Sequence, residues 1–155
     1  MSAPLLGGAS PCQIGMIVRD IAASAAKWAA FLGVPVPQAR PCGDYAVCKT
    51  EYMGRPAPEA NSLLAFFDLP NIQLELIEPN EAKSTWRDFL ETHGEGIHHY
   101  GYQVEDIKKS MADMEAAGYH LTQFGFYGDA SGAYAYYDCT KELGCFVELL
   151  CSFKK

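Results

Sequence analysis

The chain repeats itself. Gln13-Ile-Gly-Met-Ile-Val-Arg-Asp-Ile21 and His99-Tyr-Gly-Tyr-Gln-Val-Glu-Asp-Ile107 share glycine, valine, aspartate and isoleucine at a constant offset of 86 residues. Gln73-Leu-Glu-Leu-Ile77 and Phe146-Val-Glu-Leu-Leu150 match at an offset of 73, because the intervening loops differ in length. Such a repeat means two copies of one supersecondary unit, neither of which buries its apolar face alone. Each element read in one half must therefore have a counterpart in the other.

Each copy reads as β-α-β-β-β. In the first, Gln13 to Val18 is a strand and Asp20 opens a helix to Leu32, with Ile21, Ala25, Trp28 and Phe31/Leu32 at helical spacing and Gly33 as its stop. Prolines 35, 37 and 41 mark a loop, Tyr45 to Cys48 reads as a short strand, and Gly54 to Pro58 as a second loop. Leu63 to Asp68 and Ile72 to Glu78 alternate as an antiparallel pair with one buried face. Ser84 then caps a short helix carrying Trp86, Phe89 and Leu90. In the second copy, His99 to Val104 is a strand, and a helix runs from Asp106 to Ala117 with Ile107, Met111 and Met114 on its apolar face. Tyr119 to Tyr127, Ala133 to Asp138 and Cys145 to Cys151 complete it, the first two joined by the Gly128 to Gly132 turn. The expected organisation is one domain over residues 1–155: module one at about 12–79, a linker helix at about 80–94 and module two at about 95–152.

Function enters through four polar positions. Side chains alternate along a strand, so His98 and His99 are expected to point to opposite faces, and at most one serves a given site. The repeat selects His99, the equivalent of Gln13, and pairs Glu75 with Glu148 on the final strands. A glutamate on an alternating strand is most often solvated, and a lone histidine near a turn is most often structural. Placement on repeat-related positions reverses that weighting. If the two half-sheets curl toward each other, Gln13, Glu75, His99 and Glu148 converge as three oxygen donors and one imidazole. That set suits one divalent cation, Mg, Mn, Co, Ni or Zn, with open positions for substrate. His98 is assigned to packing or to an outer partner role, and His93 and His120 to surface or structural roles.

A formal net charge of -7 and a pI near 5.0 disfavour nucleic acid as a partner. The six cysteines form no C-x-x-C pair and several lie in apolar strands, which reads as reduced thiols in a cytoplasmic protein. No basic leader and no run of 18 apolar residues is present, so no membrane association is expected.

The repeat, the Val-Arg-Asp-Ile and Val-Glu-Asp-Ile corners, Leu-Glu-Leu-Ile-Glu-Pro, Gly-Glu-Gly-Ile-His-His and Gly-Cys-Phe-Val-Glu-Leu-Leu together resemble the vicinal oxygen chelate superfamily, which spans glyoxalases, bleomycin-resistance proteins and dioxygenases. Within it the chain is most similar to methylmalonyl-CoA epimerase-like proteins. The resemblance covers Gln13 to Cys151 and implies an α+β fold, tandem βαβββ modules forming a cupped, mostly antiparallel eight-stranded sheet around one metal ion. It implies Gln13, Glu75, His99 and Glu148 as the ligands. The epimerases usually carry histidine where this chain has Gln13, whereas one metal class of glyoxalase I carries glutamine there. The two-histidine, one-carboxylate set of the extradiol dioxygenases is not matched.

The resemblance implies an epimerase, racemase or isomerase that abstracts a proton next to a carbonyl, with the enolate stabilised by the metal as a Lewis acid. Glu148 and Glu51 are the candidate bases. Alternatives on the same fold are a glyoxalase I-type lactoylglutathione lyase and a metal-free bleomycin-resistance-type binding protein. Nine aromatic residues on strands, among them Tyr45, Tyr52, Phe66, Tyr134 and Tyr136, should turn about half their number into the cup, suiting an aromatic or glycosidic substrate as well as an acyl thioester. Arg40 and Arg55 are the nearby loop cations. The partner expected is a small-molecule carbonyl substrate, and the open edges of such a sheet predict a homodimer.

Overall fold

The computed structural model describes residues 3–153. Module one contains β1 (Pro11–Ile17), α1 (Ile21–Leu32), β2 (Arg40–Pro41), α2 (Tyr45–Cys48), β3 (Glu51–Tyr52), β4 (Arg55–Pro56), β5 (Ser62–Asp68) and β6 (Gln73–Pro79). Helix α3 (Thr85–His93) leads to β7 (Gly96–Gln103), α4 (Ile107–Ala116), β8 (His120–Phe126), β9 (Gly132–Cys139), α5 (Thr140–Leu143) and β10 (Cys145–Ser152). All strands join one curled sheet in the order β2-β5-β6-β1-β7-β10-β9-β8-β3-β4. The seam between the halves is the antiparallel pair β1/β7. Each of these strands lies parallel to the last strand of its own module, β6 or β10, and the remaining pairs are antiparallel.

The local chemistry of the repeat is visible at both strand-to-helix corners. Asp20 accepts from the Ala23 amide at 2.9 Å and Asp106 from the Lys109 amide at 3.0 Å, so each helix starts on the aspartate of the shared Asp-Ile pair. Gly33 closes α1 at φ 69°, a conformation that costs glycine nothing. Helix α1 packs Ile21, Ala25 and Ala29 on Ala65, Phe67, Leu74 and Leu76. Helix α4 packs Ile107 and Met114 on Ala133, Ala135, Tyr137 and Leu149. Leu76 and Leu149 are fully buried, each worth roughly 1.5–3 kcal/mol of apolar transfer. Both helices thus cover one face of the sheet. A third cluster, Ile17, Ile77, Trp86, Leu90 and Tyr136, lies under α3 on the other face.

The structure corrects three expectations. Tyr45 to Cys48 is a single helical turn, capped by Lys49 at φ 45°, and not a strand; four apolar residues in a row satisfy either periodicity. The sheet has ten strands and not eight, because Tyr45 to Cys48 drops out of it while three two-residue strands, β2, β3 and β4, join it. Strand β4 comes from the segment expected as a plain loop and pairs with β3. That hairpin leaves module one and docks on module two, with Glu51 opposite Phe124 and Tyr52 opposite Gln123 on β8. The Tyr52 hydroxyl donates to the Asp88 carboxylate of α3, so the hairpin covers an edge that would otherwise be open. The third correction concerns the histidines and is taken up below. All six cysteines are free, and among the described residues no helix is long and apolar enough to cross a membrane.

Candidate metal centre

Four neighbouring strands, β6, β1, β7 and β10, each contribute one polar side chain to the seam. Gln13, Glu75, His99 and Glu148 are all buried, none more than 6 % exposed. They meet at His99 Nε2, which lies 3.0 Å from Gln13 Oε1, 2.9 Å from Glu148 Oε2 and 3.5 Å from Glu75 Oε2. The ligand atoms of Glu75, His99 and Glu148 lie within 4.8 Å of one another. One imidazole nitrogen carries at most one proton, so it cannot satisfy three oxygens. Accordingly, both glutamate Oε2 atoms are buried without a hydrogen-bond partner. Burial first, and then the neighbouring Glu148 charge, push the Glu75 carboxyl well above the usual carboxylate range. Orphaned buried carboxylate oxygens facing an imidazole and an amide oxygen fit a divalent cation, which would cancel both penalties.

The seam makes room for this cluster with two glycines that the repeat relates. Gly15 stands opposite His99 and Gly101 opposite Gln13 across β1/β7. A Cβ at Gly15 would lie 1.8 Å from His99 Cε1, and one at Gly101 would lie 3.0 Å from Gln13 Cβ. Each first-strand side chain therefore lies flat over the glycine of the other module.

Strict alternation fails at the histidines. Gly15 pairs with His99 but Met16 pairs with Ile97, leaving His98 as an unpaired bulge residue. Its ring is fully buried, stacks on Phe146 at 4.5 Å and places Nδ1 3.0 Å from His99 Nδ1. Expectation had His98 pointing away; the bulge turns it against its neighbour. Burial, reinforced by His99 and then His93, holds His98 well below the usual imidazole range and keeps it neutral. In the tautomer that frees His99 Nε2 for a cation, His99 Nδ1–H donates to His98 Nδ1, which makes His98 the outer partner that orients the ring. Cys12 is the corresponding bulge residue on β1, one position before Gln13.

Gln13 is oriented as well. Its Nε2 donates to Gln73 Oε1 at 2.7 Å, and Gln73 Nε2 donates to Asp68 Oδ1 at 2.7 Å. This relay turns Gln13 Oε1, the only end of the amide able to ligate, toward His99. Neither Gln73 nor the glycine pair was singled out from the sequence, although Gly15 and Gly101 are identities within the repeat itself.

The cluster opens into a cavity of about 720 Å³, a volume usual for small-molecule sites. Phe66, Phe126, Tyr134 and Tyr136, four of the nine strand aromatics, line it together with Trp86 and Tyr127. Arg40 lines it too, whereas Arg55 faces a separate groove beside the hairpin. Glu51 is not brought to the cluster: it is exposed and shares the sheet face of Phe124, which packs toward α4.

The comparisons with known proteins agree with this architecture. Residues 12–137 match the family model of the glyoxalase/bleomycin resistance protein/dioxygenase superfamily. Over 109 residues, covering 68% of this chain and 69% of the relative, the chain is 32% identical to the ethylmalonyl-CoA/methylmalonyl-CoA epimerase of Cereibacter sphaeroides. Among solved structures it resembles methylmalonyl-CoA epimerase from Mycobacterium tuberculosis, with a TM-score of 0.65 at 17% identity over 99% of this chain and 93% of that one. The Streptomyces coelicolor methylmalonyl-CoA epimerase in complex with 2-nitronate-propionyl-CoA is similar at a TM-score of 0.65 and 19% identity, over 94% of this chain and 99% of that one. With the tandem modules, the seam cluster and these likenesses in place, the chain belongs to the glyoxalase/bleomycin resistance protein/dioxygenase superfamily.

Proposed function

We propose that this protein is a divalent-metal-dependent epimerase, racemase or isomerase that moves a proton on the carbon next to a carbonyl. The observation that carries the reading is the pair of buried carboxylates, Glu75 and Glu148, with unsatisfied oxygens around one imidazole nitrogen at the base of a cavity. The epimerase likeness supports the same reaction class. Gln13, Glu75, His99 and Glu148 would hold the cation, which when bound supplies Lewis-acid stabilisation to an oxygen gaining negative charge.

The chain's own groups handle the proton. Glu148 accepts it from the substrate carbon, as a buried carboxylate 2.9 Å from His99 Nε2 at the base of the cavity. Glu75, on the other module, would enter the step carrying a proton of its own and deliver that one, after which the two carboxyls re-equilibrate with solvent. Glu51, the second base expected from sequence, has no role in this proposal, given its exposure on the opposite face of the sheet. Return of the proton to the opposite face inverts the centre, and return to a neighbouring carbon isomerises the substrate.

Two measurements test the proposal. Metal analysis after gentle purification and re-addition should find close to one equivalent. Deuterium from solvent should enter the acidic position of at least one member of a panel of 2-substituted acyl thioesters, keto sugars and aryl ketones, and Glu148→Gln should slow this at least about hundredfold. A protein that takes up no metal and exchanges no panel member would overturn the reading in favour of a ligand trap.

A further inference from the structure

The strand register beside the cluster carries information about the substrate. Across β5/β6, Phe66 stands directly opposite Glu75; across β9/β10, Tyr136 stands directly opposite Glu148. Directly paired residues share a face, with Cβ atoms about 4.5–5.5 Å apart. Each carboxylate therefore has an aromatic ring at its side, one in each module, and the cluster lies between two aromatic walls. The walls are unequal. Tyr136 is buried and held edge-on by Trp86 at 6.1 Å and by Tyr134 at 5.5 Å. Phe66 is 38 % exposed and faces the cavity, an apolar surface that a ligand's ring would cover.

Charge points the same way. Among the described residues Arg40 is the only cation lining the cavity, and Asp129 lines it as well. A chain of net charge -7 with one arginine at this opening has no match for a handle bearing several phosphates.

We propose that the substrate is a compact, uncharged or singly charged aryl ketone whose acidic carbon lies between the carbonyl and a second ring, and not an acyl thioester on a polyanionic carrier. The proposal rests on the proton-transfer reading above. The chemistry matches the walls: a second ring on the reacting carbon makes its C–H more acidic and its enolate flat, so the substrate extends to both sides of the cluster. The step balances without a co-reactant. The C–H bond breaks, its proton passes to the Glu148 carboxylate and its electron pair moves toward the carbonyl oxygen; reprotonation re-forms the bond, and nothing is oxidised or reduced.

The test uses metal-loaded protein, deoxybenzoin and its resolved α-methyl derivative as probes, and methylmalonyl-CoA as the competitor. Deoxybenzoin should exchange its methylene protons with deuterated solvent, and the methyl derivative should racemise. The kcat/KM for exchange should exceed that for methylmalonyl-CoA at least tenfold. Phe66→Ala should raise KM for deoxybenzoin about tenfold while metal content stays unchanged. Higher kcat/KM with methylmalonyl-CoA overturns the substrate class and leaves the proton-transfer reading standing. Phe66-dependent binding of deoxybenzoin by calorimetry, with no exchange of either compound, upholds the class and removes the proton-transfer reading. Absence of both binding and exchange of deoxybenzoin overturns the class.

Discussion

Gly15→Ala probes the seam most directly. The added Cβ would meet His99 Cε1 at 1.8 Å, Nδ1 at 2.3 Å and Nε2 at 2.4 Å, against about 3.4 Å for the near edge of ordinary contact. The shortfall is about 1.6 Å. Strands β1 and β7 cannot open by that amount, since β6 and β10 flank them in the middle of the sheet. The ring must therefore move, and tolerance in metal–nitrogen distance is only about 0.2 Å. Overpacking of this kind costs about 1–3 kcal/mol, which for a chain of this length lowers Tm by several degrees at about 2–4 °C per kcal/mol. Metal affinity should fall by more than the ten- to hundredfold that loss of an outer partner causes. Gly101→Ala is the internal control. Its Cβ would meet Gln13 Cβ and Leu150 Cδ1 at 3.0 Å, a shortfall of about 0.4 Å that side-chain adjustment absorbs, so its cost should stay below about 1 kcal/mol. Isothermal titration with Mn or Co and scanning fluorimetry measure both quantities. Equal affinity in Gly15→Ala and wild type would refute the claim that Gly15 makes room for the His99 ring, and equal effects of the two alanines would refute the ranking of the two clashes.

Three further predictions follow from the same geometry. Gln73→Leu removes the acceptor that holds the Gln13 amide, and should weaken metal binding about ten- to hundredfold with little change in the far-ultraviolet circular dichroism; unaltered affinity would exclude the relay. In metal-free protein the raised Glu75 carboxyl binds its proton more tightly folded than unfolded. Its contribution to stability is therefore present in full below the unfolded pKa of about 4.3 and is lost as pH rises through the raised folded value. Cation at about 100 times its Kd should restore about 2.7 kcal/mol at pH 7.5, and a pH-independent Tm in chelator would contradict this. Tyr52→Phe removes the hydroxyl that ties the hairpin to Asp88, and should cost about 0.5–1.5 kcal/mol in urea unfolding and make residues 51–57 the first to exchange amide hydrogens.

What could be read from the sequence and what could not divide along local and non-local physics. The helix starts at Asp20 and Asp106 and the strand strings around Glu75 and Glu148 are local patterns, and the repeat doubled their information. The convergence of Gln13, Glu75, His99 and Glu148 followed from the repeat because equivalent positions in two like modules meet at a common seam. His98 was misplaced because a bulge depends on the register of β7 against β1, which no run of β7 residues encodes by itself. The β3–β4 hairpin was missed because two-residue strands have no periodicity, and its partner β8 lies in the other module. The Gln13–Gln73–Asp68 relay joins three polar residues that alternation alone leaves on a solvated face.

The four seam residues also say something about kinetics. They come from chain positions 13, 75, 99 and 148, and they become neighbours only when β6, β1, β7 and β10 are all aligned. Closure of such long loops is the slow part of assembling a β-rich chain. The cluster should therefore mature after most of the apolar surface has collapsed, so that a cation added during refolding leaves the forward rate nearly unchanged and chiefly slows unfolding. Cobalt absorbance during refolding would then act as a clock for the last event of assembly, lagging behind the fluorescence of Trp28 and Trp86.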